Sequence, residues 1–143
     1  MPDITPAGPA DLPAILDLLT ASNLPRAGIE EHLASTLVAR ADSDVVGSAA
    51  LELYGSAALL RSVAVATRLR GRGLGAALTA AALDLARRRG VRTVYLLTET
   101  AGRFFPKFGF AAITRAQVDS VVLESPEFTT ACPKSALVMV KQL

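Results

Sequence analysis

The tightest constraint in this chain is the hexapeptide Arg70-Gly71-Arg72-Gly73-Leu74-Gly75. An apolar run, Leu59 to Ala66, precedes it, and an alanine-rich stretch with helical spacing, Leu74 to Arg89, follows. Strand, basic glycine turn and helix in that order imply an α/β chain with bare backbone N–H groups at a helix start. Those first N–H groups have no acceptor inside the helix and lie at the positive end of its dipole, so an anion is stabilised there. Gly71, Gly73 and Gly75 let backbone approach a ligand closely, while Arg70 and Arg72 carry forked donors suited to phosphate oxygens. A plain tight turn is the competing reading. The strand before, the helix after and the alternating arginines favour an anion site.

Two common phosphate loops do not fit. A Walker A loop needs Gly-x-x-x-x-Gly-Lys-Ser/Thr, and Ala76 follows Gly75 with no lysine nearby. A dinucleotide fingerprint needs Gly-x-Gly-x-x-Gly, whereas the glycines here stand at 71, 73 and 75.

The remaining pattern resembles motif A of the GNAT (Gcn5-related) N-acetyltransferases, Gln/Arg-x-x-Gly-x-Gly/Ala, matched by Arg70, Gly73 and Gly75. Val63-Ala64-Val65 resembles the strand before that motif, and Thr67-Arg68-Leu69 the link into the loop. Downstream, Ala101 to Phe110 resembles the family's Ala-x-x-Phe-Tyr-x-x-x-Gly-Phe segment. The resemblance covers nearly the whole chain. A narrower one rests on Leu60 to Val65, Tyr95-Leu96-Leu97-Thr98, Phe104-Phe105 and the tail Phe128 to Met139 with Cys132-Pro133. These look like small bacterial N-acetyltransferases found with arsenic-resistance genes, which in turn resemble the acetyltransferase domain of N-acetylglutamate synthases.

The resemblance implies one GNAT-like domain over residues 1–143, a mixed, mostly antiparallel twisted sheet with a central splayed strand pair and helices on both faces. It implies acetyl-CoA as cosubstrate, no metal, and acetyl transfer to the amine of a small, amino acid-like molecule. The Val63-Ala64-Val65 backbone would line the splay, with the Val63 N–H bonding the thioester carbonyl and Val65 pairing with pantetheine. A donor aimed at that carbonyl stabilises the oxyanion of acyl transfer. The N–H groups of Gly71, Arg72, Gly73, Leu74, Gly75 and Ala76 would hold the pyrophosphate, and Phe105 would lie near the CoA tail or in the core. Arg103 or Lys107 could reach the 3′-phosphate or be solvated helix charges.

One departure matters. The family often places a tyrosine where this chain has Phe105, which cannot donate a proton to the leaving thiolate. For the base, His32 is the one histidine, and its place on an expected helix favours a surface residue. Glu52 and Glu99 fall at or near strand ends flanking the expected cleft. Each could relay a proton through water or be an exposed edge carboxylate. Arg26, Arg40 and Arg61 are candidate partners for a substrate carboxylate, with surface or structural roles favoured. Cys132 invites a thiophilic arsenical, but a lone cysteine is usually a small core residue.

Composition limits the other classes. At 143 residues one domain is expected, and 51% apolar against 20% charged residues describes a packed chain. Lysine and arginine exceed aspartate and glutamate by 15 − 13 = 2, too few to imply nucleic acid. No apolar run reaches the roughly 18 residues of a membrane span, no signal peptide is recognised, and a cytoplasmic location with no membrane partner is expected. A homodimer is compatible with these features. The rival from another class is an acyl-CoA-binding sensor or regulatory module without catalysis, for which the absent tyrosine is the best argument.

Periodicity predicts a strand at Ile4-Thr5, a helix from about Asp11 to Ser22 and a second from about Ala27 to Ser35. Strands are expected at Thr36 to Ala41, Val45 to Leu53, Leu59 to Ala66 and Val91 to Thr98, then at Phe110 to Thr114 and Leu137 to Lys141. The helix after the glycine loop should bury Leu74, Leu78, Ala81 and Leu85 and stop at Gly90. A short helix is expected at Gly102 to Phe108. Gln117 to Pro133 reads poorly, with a hint of helix at Val118, Val121 and Val122.

Overall fold

The apolar runs pair into one seven-stranded sheet of order β1-β2-β3-β4-β5-β7-β6. The strands are β1 Asp3–Pro6, β2 Thr36–Ala41, β3 Asp44–Tyr54, β4 Ala57–Val65, β5 Thr93–Thr98, β6 Ala111–Ile113 and β7 Leu137–Gln142. The computed structural model describes residues 2–131 and 135–143. Every neighbouring pair is antiparallel except β4 and β5. These two run parallel because helix α2, Leu74–Arg88, carries the chain back between them.

Strand alternation sends successive side chains to opposite faces. Leu60, Leu51, Val94 and Leu96 meet Leu74, Leu78 and Ala82 of α2 on one face, together with Phe105 and Phe110. The other face has two clusters. Ile15 and Leu19 of α1, Leu12–Ala21, pack with Ile29, Val38 and Ala50. Leu59, Tyr95 and Val138 are covered by Val118 and Val122.

The buried line of α2 is Leu74, Leu78, Ala82 and Ala86, each four residues from the last. The expected Ala81 and Leu85 flank it half-buried, so the stripe is rotated slightly from the sequence reading. The helix stops as Gly90 predicts. Gly90 sits at φ 78°, its N–H bonds the Arg87 carbonyl and the Val91 N–H bonds the Ala86 carbonyl. That is the paired closing pattern a left-handed glycine permits.

The second helix is shorter than expected. Only a 3-10 stretch, Glu30–Ser35, forms, and His32 inside it is non-helical at φ −112°, ψ 17°. Pro25 restricts the residue before it and Gly28 sits at φ 83°, which keeps the upstream half out of the helix. The expected Gly102 to Phe108 helix is likewise a 3-10 turn, Phe105–Phe108. In the poorly readable region, 3-10 turns form at Arg115–Gln117 and Val122–Glu124, followed by a π-turn at Glu127–Ala131. Val118 and Val122 are buried there while Val121 is exposed. Among the described residues no helix is long and apolar enough to cross a membrane.

Leu78 is fully buried, and the absence of a side chain at Gly47 makes room for it; a Cβ there would stand 2.8 Å from Leu78 Cδ1. Leu78→Ala is therefore expected to destabilise the fold by about 3 kcal/mol, read from the midpoint of urea unfolding at unchanged slope.

Candidate functional site

The site begins where β4 leaves β5. The two pair from Ala57 opposite Thr93 to Leu60 opposite Leu96, yet β4 runs on to Val65 and β5 to Thr98. Over that stretch β5 keeps β7, and β4 keeps β3. On the β3 side Ala50 faces Arg61 and Ser48 faces Ala64. Ser62 and Val63 thus share the place of one β3 residue, a β-bulge that bends the strand. Ser62 has φ 59°, a left-handed conformation that costs a non-glycine residue about 1–3 kcal/mol. The Ser48 hydroxyl donates to the Ser62 carbonyl at 2.7 Å.

Beyond the bulge the direction of each backbone group can be assigned. The Ala66 N–H donates to the Val46 carbonyl at 2.8 Å, so Ala66 faces β3, and by alternation Ala64 does too. Val63 and Val65 turn their N–H groups the opposite way, into the gap between β4 and β5. The Val65 carbonyl accepts Arg70 Nε at 3.1 Å, and an Arg70 terminal nitrogen lies 3.4 Å from Ser22 Oγ. Arg70, read from the sequence as a phosphate ligand, folds back to tie the loop to the strand.

The gap leads into the glycine loop. Gly71 (φ 79°) and Gly73 (φ 85°) are both left-handed, and a Cβ on either would meet nothing within 4 Å. Glycine is needed there for conformation. The first helical bond of α2 is from the Ala77 N–H to the Gly73 carbonyl, which leaves the N–H groups of Leu74, Gly75 and Ala76 ahead of it. Arg72 is exposed, and with Pro2, Leu69 and Leu74 it lines a hollow of about 240 Å³.

Phe105 does not line this gap. It is 7% exposed, with its ring 5.1 Å from Phe104 and 5.8 Å from Phe110, inside the core on the α2 face. Phe104 is the ring that reaches the loop, its Cζ 3.6 Å from where a Gly75 Cβ would stand. Arg103, Lys107 and Arg26 are exposed. Arg40 is engaged elsewhere, in a two-pronged pair with Asp11 at 2.8 and 2.7 Å. Glu99 is exposed just past the end of β5, at the mouth of the gap. Cys132 lies outside the described residues. Among the described residues no group of three or more His, Cys, Asp or Glu side chains is placed to hold a metal ion.

Glu52 is not an edge carboxylate. It is fully buried on the face opposite α2 and pairs with buried Arg61 at 2.8 Å. The Tyr54 hydroxyl donates to its other oxygen at 2.5 Å, and His32 Nε2 lies 3.9 Å from that same oxygen. Burial raises the Glu52 carboxyl, but hydrogen bonds from Ser125, Tyr54 and Arg61 outweigh it and hold the group below the ordinary range. Burial and the adjacent carboxylate keep Tyr54 protonated far above neutral pH. A carboxylate so held is a counter-ion and a weak base.

Arg61 completes the cluster. Its Nε donates to Ser62 Oγ at 3.1 Å, and its terminal nitrogens donate to the carbonyls of Ala27 (2.6 Å) and Pro25 (3.1 Å). Glu127 Oε2 lies 3.8 Å away. Sequence alone leaves Arg61 without a definite partner. The available signal was a charged residue enclosed by apolar neighbours, Leu60-Arg61-Ser62-Val63 beside Leu51-Glu52-Leu53, since a buried charge requires a partner.

Arg61→Met would strand the Glu52 charge and is expected to cost about 3–5 kcal/mol. The acid limb gives a second check. Glu52 and Asp11, the latter through Arg40 and the Gly8 N–H, both titrate below their ordinary values of 4.5 and 3.8 when folded. Their stabilisation is complete above those unfolded values and is lost as pH falls through the lower folded ones. Stability should therefore drop below about pH 4, and less steeply in Glu52→Gln, as read by urea unfolding across pH.

The family model described as an acetyltransferase (GNAT) domain matches residues 32–112. A curated N-acetyltransferase of Chlorobaculum tepidum is 31% identical over 120 residues, 80% of this chain and 75% of its own. Rv2747 of Mycobacterium tuberculosis, solved in complex with CoA, superposes with a TM-score of 0.83 at 25% identity, over 99% of each chain. N-acetylglutamate synthase from Neisseria gonorrhoeae, complexed with coenzyme A and N-acetyl-glutamate, gives a TM-score of 0.86 at 21% identity. It matches all of this chain, which spans 35% of the synthase's length. The chain belongs to the GNAT acetyltransferase family.

Proposed function

We propose that this protein transfers the acetyl group of acetyl-CoA to the amine of a small, amino acid-like molecule. The observation that carries this reading is the parting of β4 from β5 at Leu60 and Leu96, with the Val63 and Val65 N–H groups turned into the gap that leads to the glycine loop. The N–H groups from Gly71 to Ala76 would hold the pyrophosphate, with Arg72 adding charge. Pantetheine would run along β4, paired with Val65 and beside Ala64. The thioester carbonyl would meet the Val63 N–H, a donor already fixed before charge develops on that oxygen.

Proton handling falls to the open end of the site. Glu99 stands at the mouth of the gap and is the proposed acceptor, through water, of the ammonium proton. Glu52, locked to Arg61, serves as a buried counter-ion. With Phe105 in the core, the thiolate leaves without a side-chain acid at that position. CoA in two structural neighbours supports the donor, and N-acetyl-glutamate in one supports a carboxylate-bearing acceptor. Arg26 is the exposed candidate to meet its carboxylate. A role in arsenic resistance rests on the sequence resemblance.

Transfer of label from [¹⁴C]acetyl-CoA to a panel of amino acids and arsenical analogues tests this reading, alongside calorimetric titration with CoA. Binding and transfer are both expected. CoA binding without transfer to any amine would favour a non-catalytic acyl-CoA-binding module. Gly73→Val, which forces a β-branched residue to φ 85°, is expected to weaken CoA binding at least about tenfold. Glu99→Gln is expected to lower kcat/KM by about 10²-fold or less and to leave CoA binding unchanged.

A further inference from the structure

The Ser62 bulge is held from both ends. Its carbonyl accepts the Ser48 hydroxyl, and its own hydroxyl accepts Arg61 Nε. The next residue is Val63, whose N–H faces the gap. A residue in a left-handed conformation persists only when its surroundings over-determine it, and such strain gathers where geometry serves function. The rest of the Arg61 guanidinium is used as fully. One terminal nitrogen joins Glu52 to the Ala27 carbonyl, and the other reaches the Pro25 carbonyl. One rigid planar group therefore connects β3, the bulge and the loop after α1, which a lysine ammonium on a flexible stem would not span.

We propose that Arg61 is a positioning residue for acetyl transfer: clamped by Glu52, it holds Ser62 in the bulge and so aims the Val63 N–H at the thioester carbonyl. The proposal rests on the reading that this N–H meets the carbonyl. The loop at Pro25 and Ala27 docks on the same guanidinium that fixes the bulge, so displacement of that loop would be felt at the Val63 N–H.

Isotope-edited infrared spectroscopy of [1-¹³C]acetyl-CoA bound to the full chain provides the test. The carbonyl stretch should move to lower frequency on binding to the native protein. Arg61→Lys and Ser48→Ala should lose about half or more of that displacement, and acetyl transfer at saturating acetyl-CoA should fall about tenfold or more. Calorimetric affinity for CoA should stay within about threefold of native, since the glycine loop is untouched. A purely structural role for Arg61 would lower the melting temperature and leave the carbonyl stretch of the folded protein at its native position; that result in both variants overturns the proposal. Should Arg61→Lys not fold, Ser48→Ala decides alone. A native carbonyl that does not shift while CoA binds also overturns it, whereas failure of the native protein to bind CoA removes the underlying acetyl-CoA reading.

Discussion

β4 cannot satisfy both neighbours along its whole length. It must keep β3, because that pairing carries the buried core on both faces, and an inserted residue at Ser62 bends its second half away from β5. Backbone polar groups that lose a partner must find another or face water. The Val65 carbonyl finds Arg70, while the Val63 and Val65 N–H groups are left facing an open gap. The gap between β4 and β5 follows from this one divergence.

Placing an arginine and a glutamate in the sheet interior is costly unless both are fully hydrogen-bonded. Here the cost is offset by partners from several separate segments: Glu52 and Tyr54 on β3, Ser62 on β4, Pro25 and Ala27 after α1, and Ser125. An apolar pair would pack the sheet as well but would not tie down those loops. The charges tie two stretches outside the strands and α-helices, one at Pro25 and Ala27 and one at Ser125, to the sheet.

Much of this was legible in the chain. β2 matches its expected bounds, and β3, β4, α2 and β7 lie within a residue or two, because apolar periodicity and the flanking turn and cap residues agree for each. The glycine loop was readable because positive φ and an uncovered helix start demand that residue type. The helices before β2 and before β6 are shorter than their spacing predicts. Local spacing there was helical, but Pro25 and Gly28 in one case and Pro106 in the other limit the chain to 3-10 turns. The roles of Glu52, Arg61 and Phe105 were illegible for another reason. A residue's neighbours across a sheet lie far away in sequence, and only packing tells whether a carboxylate near a strand end is at the rim or in the core.

The order of elements, the family and the place of the glycine loop could be read from the chain alone, since each depends on residues close together in sequence. Tertiary structure alone decided that β4 and β5 part at Leu60, that Phe104 rather than Phe105 reaches the loop, and that Glu52 is clamped by Arg61. These depend on register and on burial, and both are set by segments that meet only when the chain is folded.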